Sequence, residues 1–250
     1  NLLQALYGRP DVAAALNEAF SSAFDVDVQL DPTGLANLCL RVASDFGDLA
    51  RNPWDPPRAM AQFQPIDTQG DGYKSYAGVV LALLLSSNRV CLLDEPDAFL
   101  HPAQARQLGG WIASHASDLS AQIIVATHNV HFLAGVLHAA ADGVEIYRLD
   151  RTSDSTSFSR MTADATRQMS RSPLLSSQPM MEAVFHAGVV VCEADADRSL
   201  YQTVAARERG LSDLLFVHTQ SKQALHQAVA LLKDAATPVC CVADIDTLND

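Results

Sequence analysis

Apolar positions along this chain fall into two kinds: some recur at three- and four-residue spacing, others crowd into short unbroken runs. Between Arg9 and Ser22, Val12, Leu16 and Phe20 recur at helical spacing and Pro10 suits a first turn, so the pattern predicts a helix. Val26–Leu30 and Leu35–Val42 flank the turn residues Asp31-Pro32-Thr33-Gly34, which predicts a β-hairpin. The proline-rich stretch Asp45–Asp67 has no sustained period and reads as a loop. Ser75–Ser87 is apolar nearly all round, the pattern of a buried helix. Two runs, Val90–Leu93 and the strand within Gln122–Asn129, read as fully buried parallel strands. The helix between them opens at Pro102 and runs to about Ser117, with Leu108, Trp111, Ile112 and His115 on one face. A further helix over His131–Ala141 and a strand over Val144–Leu149 follow.

The character of the chain then changes. Arg151 to about Ser177 is rich in Ser, Thr, Asp and Arg with little apolar patterning, the signature of a connector, and a short helix is expected at Met180–Phe185. From Gly188 the alternation restarts: strand Val189–Cys192, helix near Asp197–Arg209, strand Leu214–His218, helix Ser221–Asp234, strand Val239–Ala243. Strands alternating with helices mean βαβ units and a parallel sheet. The expected organisation is α/β, with one lobe over residues 1–150, a connector over 151–184 and a second domain over 185–250.

Composition narrows the function classes. The chain has 250 residues and is 48% hydrophobic, enough for one large or two modest cores. Its formal charge of −12 disfavours broad nucleic-acid binding through phosphate neutralisation by this segment alone. Only 6% of residues are aromatic, so base-stacking platforms are scarce. No stretch is long and apolar enough for a membrane helix, and no signal peptide is evident. Cys39, Cys91, Cys192, Cys240 and Cys241 form no CxxC pair and fall mostly in strand-like runs. They read as buried reduced thiols of a cytoplasmic protein.

Chemistry concentrates at strand ends. Val90–Leu93 runs straight into Asp94 and Glu95, and the second apolar run ends in Thr127-His128. The carboxyl ends of parallel strands face the ligand crevice of an α/β sheet. There Asp94 can hold Mg²⁺, while Glu95 can orient and deprotonate an attacking water. LLDEPDAFLHP resembles the Walker B strand and D-loop of ABC-type ATPases, in the branch related to chromosome-maintenance and recombination ATPases. The resemblance implies ATP as cofactor, a switch-histidine role for His128, and association of ATPase lobes into a homodimer or higher homo-oligomer. It also places Asp71–Gly78 where that branch carries its signature loop, so Ser75, Gly78 and the helix N-terminus behind Ser75 would contact a phosphate across the dimer. The LSGGQ wording is absent, and so is any GxxxxGK[ST] phosphate loop, which leads one to expect a piece of a longer protein.

The second domain repeats the theme. VVVCEADAD sets Glu193, then Asp197 one helical turn on, at the rim of its first strand; CCVADID sets Asp244 and Asp246 at the rim of its third. If those strands are neighbours, four carboxylates converge. This arrangement resembles the Toprim fold, and its order after an ABC-type half resembles the overcoming-lysogenization-defect (OLD) family of ATP-dependent nucleases. The resemblance implies Asp197, Asp244 and Asp246 as ligands of Mg²⁺ or Mn²⁺, and Glu193 as a ligand or the group that activates water. It further implies a DNA substrate, a setting in phage or foreign-DNA defence, and a second defence protein as a conceivable partner. An alternative stays open: an ATP-switched sensor or scaffold with a silent Toprim domain. A topoisomerase-like reaction ranks last, because no domain supplying a tyrosine is visible.

Blander readings hold for other residues. His128 and His131 form HxxH without a third ligand nearby, so a structural zinc is improbable. His101 belongs to the D-loop stretch, Ser221 and Lys222 open a helix, and Lys74 is as well read as solvated as nucleotide-binding. Asp195 matches no family position and reads as a solvated turn residue.

Overall fold

The structure is a computed structural model that describes residues 2–34, 37–47, 60–151, 153–172, 176–207, 213–219 and 221–244. It divides into two compact units, Asn1–Ala139 and Ala140–Asp250. This division falls ahead of the lobe boundary expected at residue 150.

The first unit begins with α1 (Leu2–Leu6) and α2 (Pro10–Phe24), the latter opened by Pro10 and closed by Asp25 in the left-handed region. Val12, Leu16 and Phe20 are its buried stripe, as their spacing predicts. Asn17 ties the helix to the next strand: its Oδ1 accepts from the Val28 N–H at 2.7 Å and its Nδ2 donates to Asp27. The predicted hairpin forms from β1 (Asp27–Asp31) and β2 (Cys39–Ala43), paired antiparallel. The expected loop contributes a strand after all, because β3 (Gln64–Pro65) adds to the free edge of β2. Pro65 is tolerated there at the sheet edge, and the prolines around it hide the strand in the sequence. Part of that stretch, 48–59, lies outside the described residues.

α3 spans Asp71–Leu84 rather than starting at Ser75. Tyr76 and Val80 are buried beside Phe20 in the core of the unit. The Phe20 and Tyr73 rings meet edge to face, 5.2 Å apart. The Tyr76 hydroxyl donates to the Ala19 carbonyl at 3.1 Å, and burial pushes its pKa up to about 12. β4 (Val90–Asp94) and β5 (Gln122–Ala126) pair in parallel, in register from Val90↔Gln122 to Asp94↔Ala126. α4 (Pro102–His115) connects them and α5 (Val130–Ala140) follows.

The two strands are not buried on both faces. Cys91, Leu93, Ile123 and Val125 pack on the core, whereas Leu92 is 74% exposed and Val90 and Ile124 are each 59% exposed. An unbroken apolar run looks the same whether one or both faces are covered. Among the described residues this sheet has two strands and one covered face.

The second unit holds the hairpin β6 (Tyr147–Arg151) and β7 (Thr156–Arg160), then α6 (Ala163–Arg171) and α7 (Gln178–Glu182). The stretch expected to be a connector is therefore structured. Met161, Ala165, Met169, Met180 and Met181 are its buried anchors. They are too widely spaced among Ser, Thr and Arg to show a period. β8 (Gly188–Cys192), α8 (Asp195–Ala205), β9 (Leu214–His218), α9 (Lys222–Asp234) and β10 (Val239–Val242) complete the unit. Their sheet is parallel, with order β10-β8-β9. Buried Arg148 ties the hairpin to this sheet, donating to the carbonyls of Ala236 at 3.2 Å and His186 at 2.9 Å. The five cysteines are free; Cys192 is buried, but Cys240 and Cys241 are exposed rather than core. The reason is that, among the described residues, β10 lies at the edge of the sheet.

Candidate functional site

In the first unit, chemistry gathers where β4 and β5 end. Asp94 closes β4 opposite Ala126, and the next N–H, that of Glu95, donates to the Ala126 carbonyl at 2.8 Å. Glu95 then takes φ +45°, a left-handed conformation that reverses the chain and turns its carboxylate along the rim. There Oε1 lies 2.6 Å from Nδ1 of His128. The hydrogen bond to Glu95, reinforced by that carboxylate's charge, raises the His128 pKa above the ordinary histidine value.

A polar chain fixes the His128 loop. Thr127 Oγ1 donates to Asp97 Oδ1 at 2.8 Å and accepts from the Asn129 N–H at 3.0 Å. Asn129 Oδ1 in turn accepts from the N–H groups of His131 and Phe132, opening α5. Asp97 is 5% exposed, so its bond to Thr127 offsets part of the cost of burying a carboxylate. Asp97 and Thr127 were not singled out by sequence. The available signal was a third acid, three positions after Asp94, followed across the sheet by a hydroxyl beside the histidine.

The helix that holds Ser75 and Gly78 begins four residues earlier than expected. Both lie within α3, whose first residue is Asp71, so the free N–H groups at its start belong to residues ahead of Ser75. The helix starts earlier because Tyr73 and Tyr76 pack with Phe20 and Phe24 in one aromatic cluster, which requires helical geometry from the outset. At that start a cavity of about 550 Å³ opens, lined by Phe24, Gly70, Gly72, Tyr73, Phe99 and His101 among others. Gly72 is needed there, since a Cβ would stand 2.9 Å from the Phe99 carbonyl oxygen. His101 caps α4, its Nδ1 accepting from Ala103, and Lys74 pairs with Asp71 at 2.7 Å.

In the second unit, β8 and β10 are direct neighbours, with Cys192 opposite Val242. Glu193 extends the ladder, its N–H donating to the Val242 carbonyl at 3.2 Å, and its Oε2 accepts from the Asp244 N–H at 3.4 Å. Asp197 lies in the first turn of α8. Asp246 lies outside the described residues. Among the described residues no three His, Cys, Asp or Glu side chains form a metal-holding group. Asp195, read as solvated, is exposed and also anchors the start of α8. Its Oδ1 accepts from Arg198 Nε at 2.7 Å, and that bond first of all lowers its pKa. The same oxygen lies 3.4 Å from Nδ1 of His218, a residue the sequence reading passed over although it ends a strand at the same rim.

Residues 15–134 match the family described as "AAA domain, putative AbiEii toxin, Type IV TA system". The matched segment resembles an AAA-type ATPase domain. It takes in Asp94, Glu95 and His128. No curated relative matches the chain. Among solved structures, one described under ATP-driven dimerization and DNA-stimulated activation of SMC ATPases is 14% identical. It covers 66% of this chain and 91% of its own, with TM-score 0.45. The Smc head domain of Pyrococcus yayanosii with a coiled coil and joint is 16% identical, with TM-score 0.44. That match takes in 63% of this chain and 28% of the other. The Smc head domain of Pyrococcus furiosus bound to the C-terminal domain of ScpA is 15% identical over 63% of this chain and 36% of its own, with TM-score 0.43.

Proposed function

We propose that this protein is an ATP-regulated, divalent-metal-dependent DNA nuclease of the OLD type, in which association of ATPase lobes governs a Toprim-like cleavage site in the second unit. The observation that carries this reading is the neighbouring of β8 and β10, which sets Glu193 against Asp244 at one sheet rim. Hard carboxylate oxygens are the donors Mg²⁺ or Mn²⁺ takes, and Mg²⁺ is commonly held by one or two carboxylates plus substrate phosphate and water. Asp197, Asp244 and Asp246 would hold such ions, which when bound neutralise phosphate charge and lower the pKa of water. Glu193, beside them, orients the attacking water and takes its proton.

In the first unit Asp94 would hold the Mg²⁺ of ATP, and Glu95 would position and deprotonate the water that attacks the γ-phosphate. His128, hydrogen-bonded to Glu95, senses whether that phosphate is present. ATP-dependent dimerization of the first unit and stimulation by DNA belong to the same proposal. Phage or foreign-DNA defence is the setting this reading implies.

Plasmid nicking by the intact protein with Mg²⁺ or Mn²⁺ tests the proposal. Glu193→Gln and Asp244→Asn each should lower nicking by about 100-fold or more, with ATP turnover retained. Absence of nicking by the wild type with ATP, ADP and no nucleotide would sink it. A second reading, an ATP-switched scaffold whose second unit is silent, draws support from the lack of a three-ligand group among the described residues. Under it, Glu95→Gln alters partner recruitment and Glu193→Gln changes nothing.

A further inference from the structure

The β6–β7 hairpin of the second unit has a buried side and a bare one. Along β6 the buried Arg148 and half-buried Asp150 alternate with Tyr147, Leu149 and Arg151, which are exposed. The antiparallel register sets exposed residues of β7 opposite those three: Arg160 against Tyr147, Phe158 against Leu149, and Thr156 against Arg151. Directly opposed residues share a face of the sheet. That face therefore carries Phe158, 68% exposed, and Leu149, 57% exposed, beside the Tyr147 ring. Large apolar side chains gathered on one open face and rimmed by charge mark a binding surface.

The charges at its rim decide what it binds. Arg151 stands at one end of the face and Arg160 at the other, about 13 Å apart along the strands. Glu145 accepts from Arg160 at 2.6 Å and from the Tyr147 hydroxyl at 2.9 Å, which holds ring and guanidinium side by side. The other acids of the hairpin are engaged elsewhere: Asp150 accepts from Arg148 on the opposite side, and Asp154 from Ser153 in the turn. In a chain of formal charge −12, this face is left with more guanidinium than carboxylate.

Rings flanked by guanidiniums suit a single strand of nucleic acid. Every base has a π-face that stacks on an aromatic side chain, and the phosphates between bases pair with the cations. A duplex keeps its base faces inside its own stack. An apolar protein partner has no use for the arginines, and a second copy brings the same arginines to the contact.

We propose that the exposed face of the β6–β7 hairpin binds single-stranded DNA, with bases stacked on Phe158 and Tyr147 and phosphates held by Arg151 and Arg160. The choice of DNA over RNA rests on the nuclease reading above; the stacking face does not. Arg148 fastens the hairpin to the carbonyls of His186 and Ala236, which lie ahead of the first residues of β8 and β10. Glu193 and Asp244 follow the far ends of those parallel strands, so this face holds DNA away from the cleavage rim and needs no metal to do so.

The test is fluorescence anisotropy of labelled oligo-dT with the intact protein in EDTA, which keeps metal-dependent cutting out of the measurement. Phe158→Ala should weaken binding by about 10-fold. Phe158→Leu should lose as much, whereas Phe158→Trp should bind within about twofold of wild type, because stacking needs a ring. Arg151→Ala should reduce the slope of log affinity against log salt by about 0.7, and Arg151→Lys should restore it. Wild-type affinity in Phe158→Leu, equal affinity for duplex, or tighter binding of oligo-rU would each overturn the proposal. So would a Phe158→Ala variant that keeps oligo-dT affinity but changes its sedimentation, which would make the face a contact between copies. A wild type that nicks plasmid although Phe158→Leu binds normally removes this site and leaves the nuclease reading. A wild type that nicks nothing, yet loses oligo-dT binding with Phe158→Ala, removes the nuclease reading and leaves this site.

Discussion

Glu95 and His128, 33 residues apart in the chain, meet across the ends of β4 and β5 in a 2.6 Å hydrogen bond between carboxylate and imidazole. The pairing links the residue proposed to activate water to the residue proposed to sense the γ-phosphate. It also gives each a competitor: while His128 holds Glu95, that carboxylate oxygen is engaged.

The pair predicts a specific titration. Glu95 raises the His128 pKa by hydrogen bonding and charge, so the folded value stands above the ordinary one of about 6.5. The interaction is complete below that ordinary value and is lost as pH rises through the higher folded value. NMR titration of the His128 ring should give a midpoint above the ordinary histidine value of about 6.5, and Glu95→Gln should lower it. An unmoved midpoint in the variant would show that the two groups do not interact in solution. The imidazole is largely exposed, so the effect on overall stability should be small.

A buried pair elsewhere should behave differently. Asp31 is 1% exposed and accepts from Arg41 Nε at 2.8 Å and from the Thr33 N–H at 2.9 Å. Burial alone would raise its pKa, yet the bonds from Thr33 and Arg41 together carry it below the ordinary carboxylate value. Asp31→Asn should destabilise the first unit by roughly 3 kcal/mol at neutral pH, because it strands a partly buried guanidinium. The gap between variant and wild type, measured by urea unfolding, should hold above the ordinary carboxylate value of about pH 3.9. It should close as pH falls through the lower folded value. A gap that persisted in acid would assign the effect to packing.

α4 and α5 cross through glycines. A Cβ at Gly135 would collide with the Arg106 carbonyl, and one at Gly109 with the Phe132 carbonyl, both backbone atoms that cannot swing aside. Gly135→Ala should therefore cost about 1–3 kcal/mol, although alanine is the better helix former. Alanine at Gly78, where a Cβ would meet nothing within 4 Å, should stabilise by about 0.5–1 kcal/mol. Equal effects at the two positions would show that the crossing yields easily.

Helices and strands with dense apolar content were legible in the sequence to within a few residues: α2, β4, β5, β8, β9 and β10 are where their patterns placed them. What the pattern could not convey was who covers whom. Leu92 is apolar and exposed, Cys240 and Cys241 lie on an edge strand, and the methionine-anchored stretch from Met161 to Met181 carries no visible period. At the rims, adjacency followed from strand order, so Glu193 and Asp244 were found as a pair by assuming neighbouring strands. His218, which meets Asp195 at the same rim, drew no notice because a single histidine ending a strand carries no motif.

The conformation of Glu95 yields a separate prediction. Its φ of +45° places a β-carbon-bearing residue in the left-handed region, at a cost of about 1–2 kcal/mol that glycine avoids. In a regular helix or strand glycine is the less stable residue by about 0.5–1 kcal/mol relative to alanine. At position 95 the order should invert, with Glu95→Gly more stable than Glu95→Ala by roughly 0.5–1 kcal/mol. Both variants lack the carboxylate that meets His128, so the difference between them isolates the backbone. Both should lose ATP turnover, and the more stable of the two should be no more active. Denaturant midpoints in the opposite order would mean that the turn relaxes when the Glu95–His128 contact is removed, and that the pairing itself holds the backbone in its strained state.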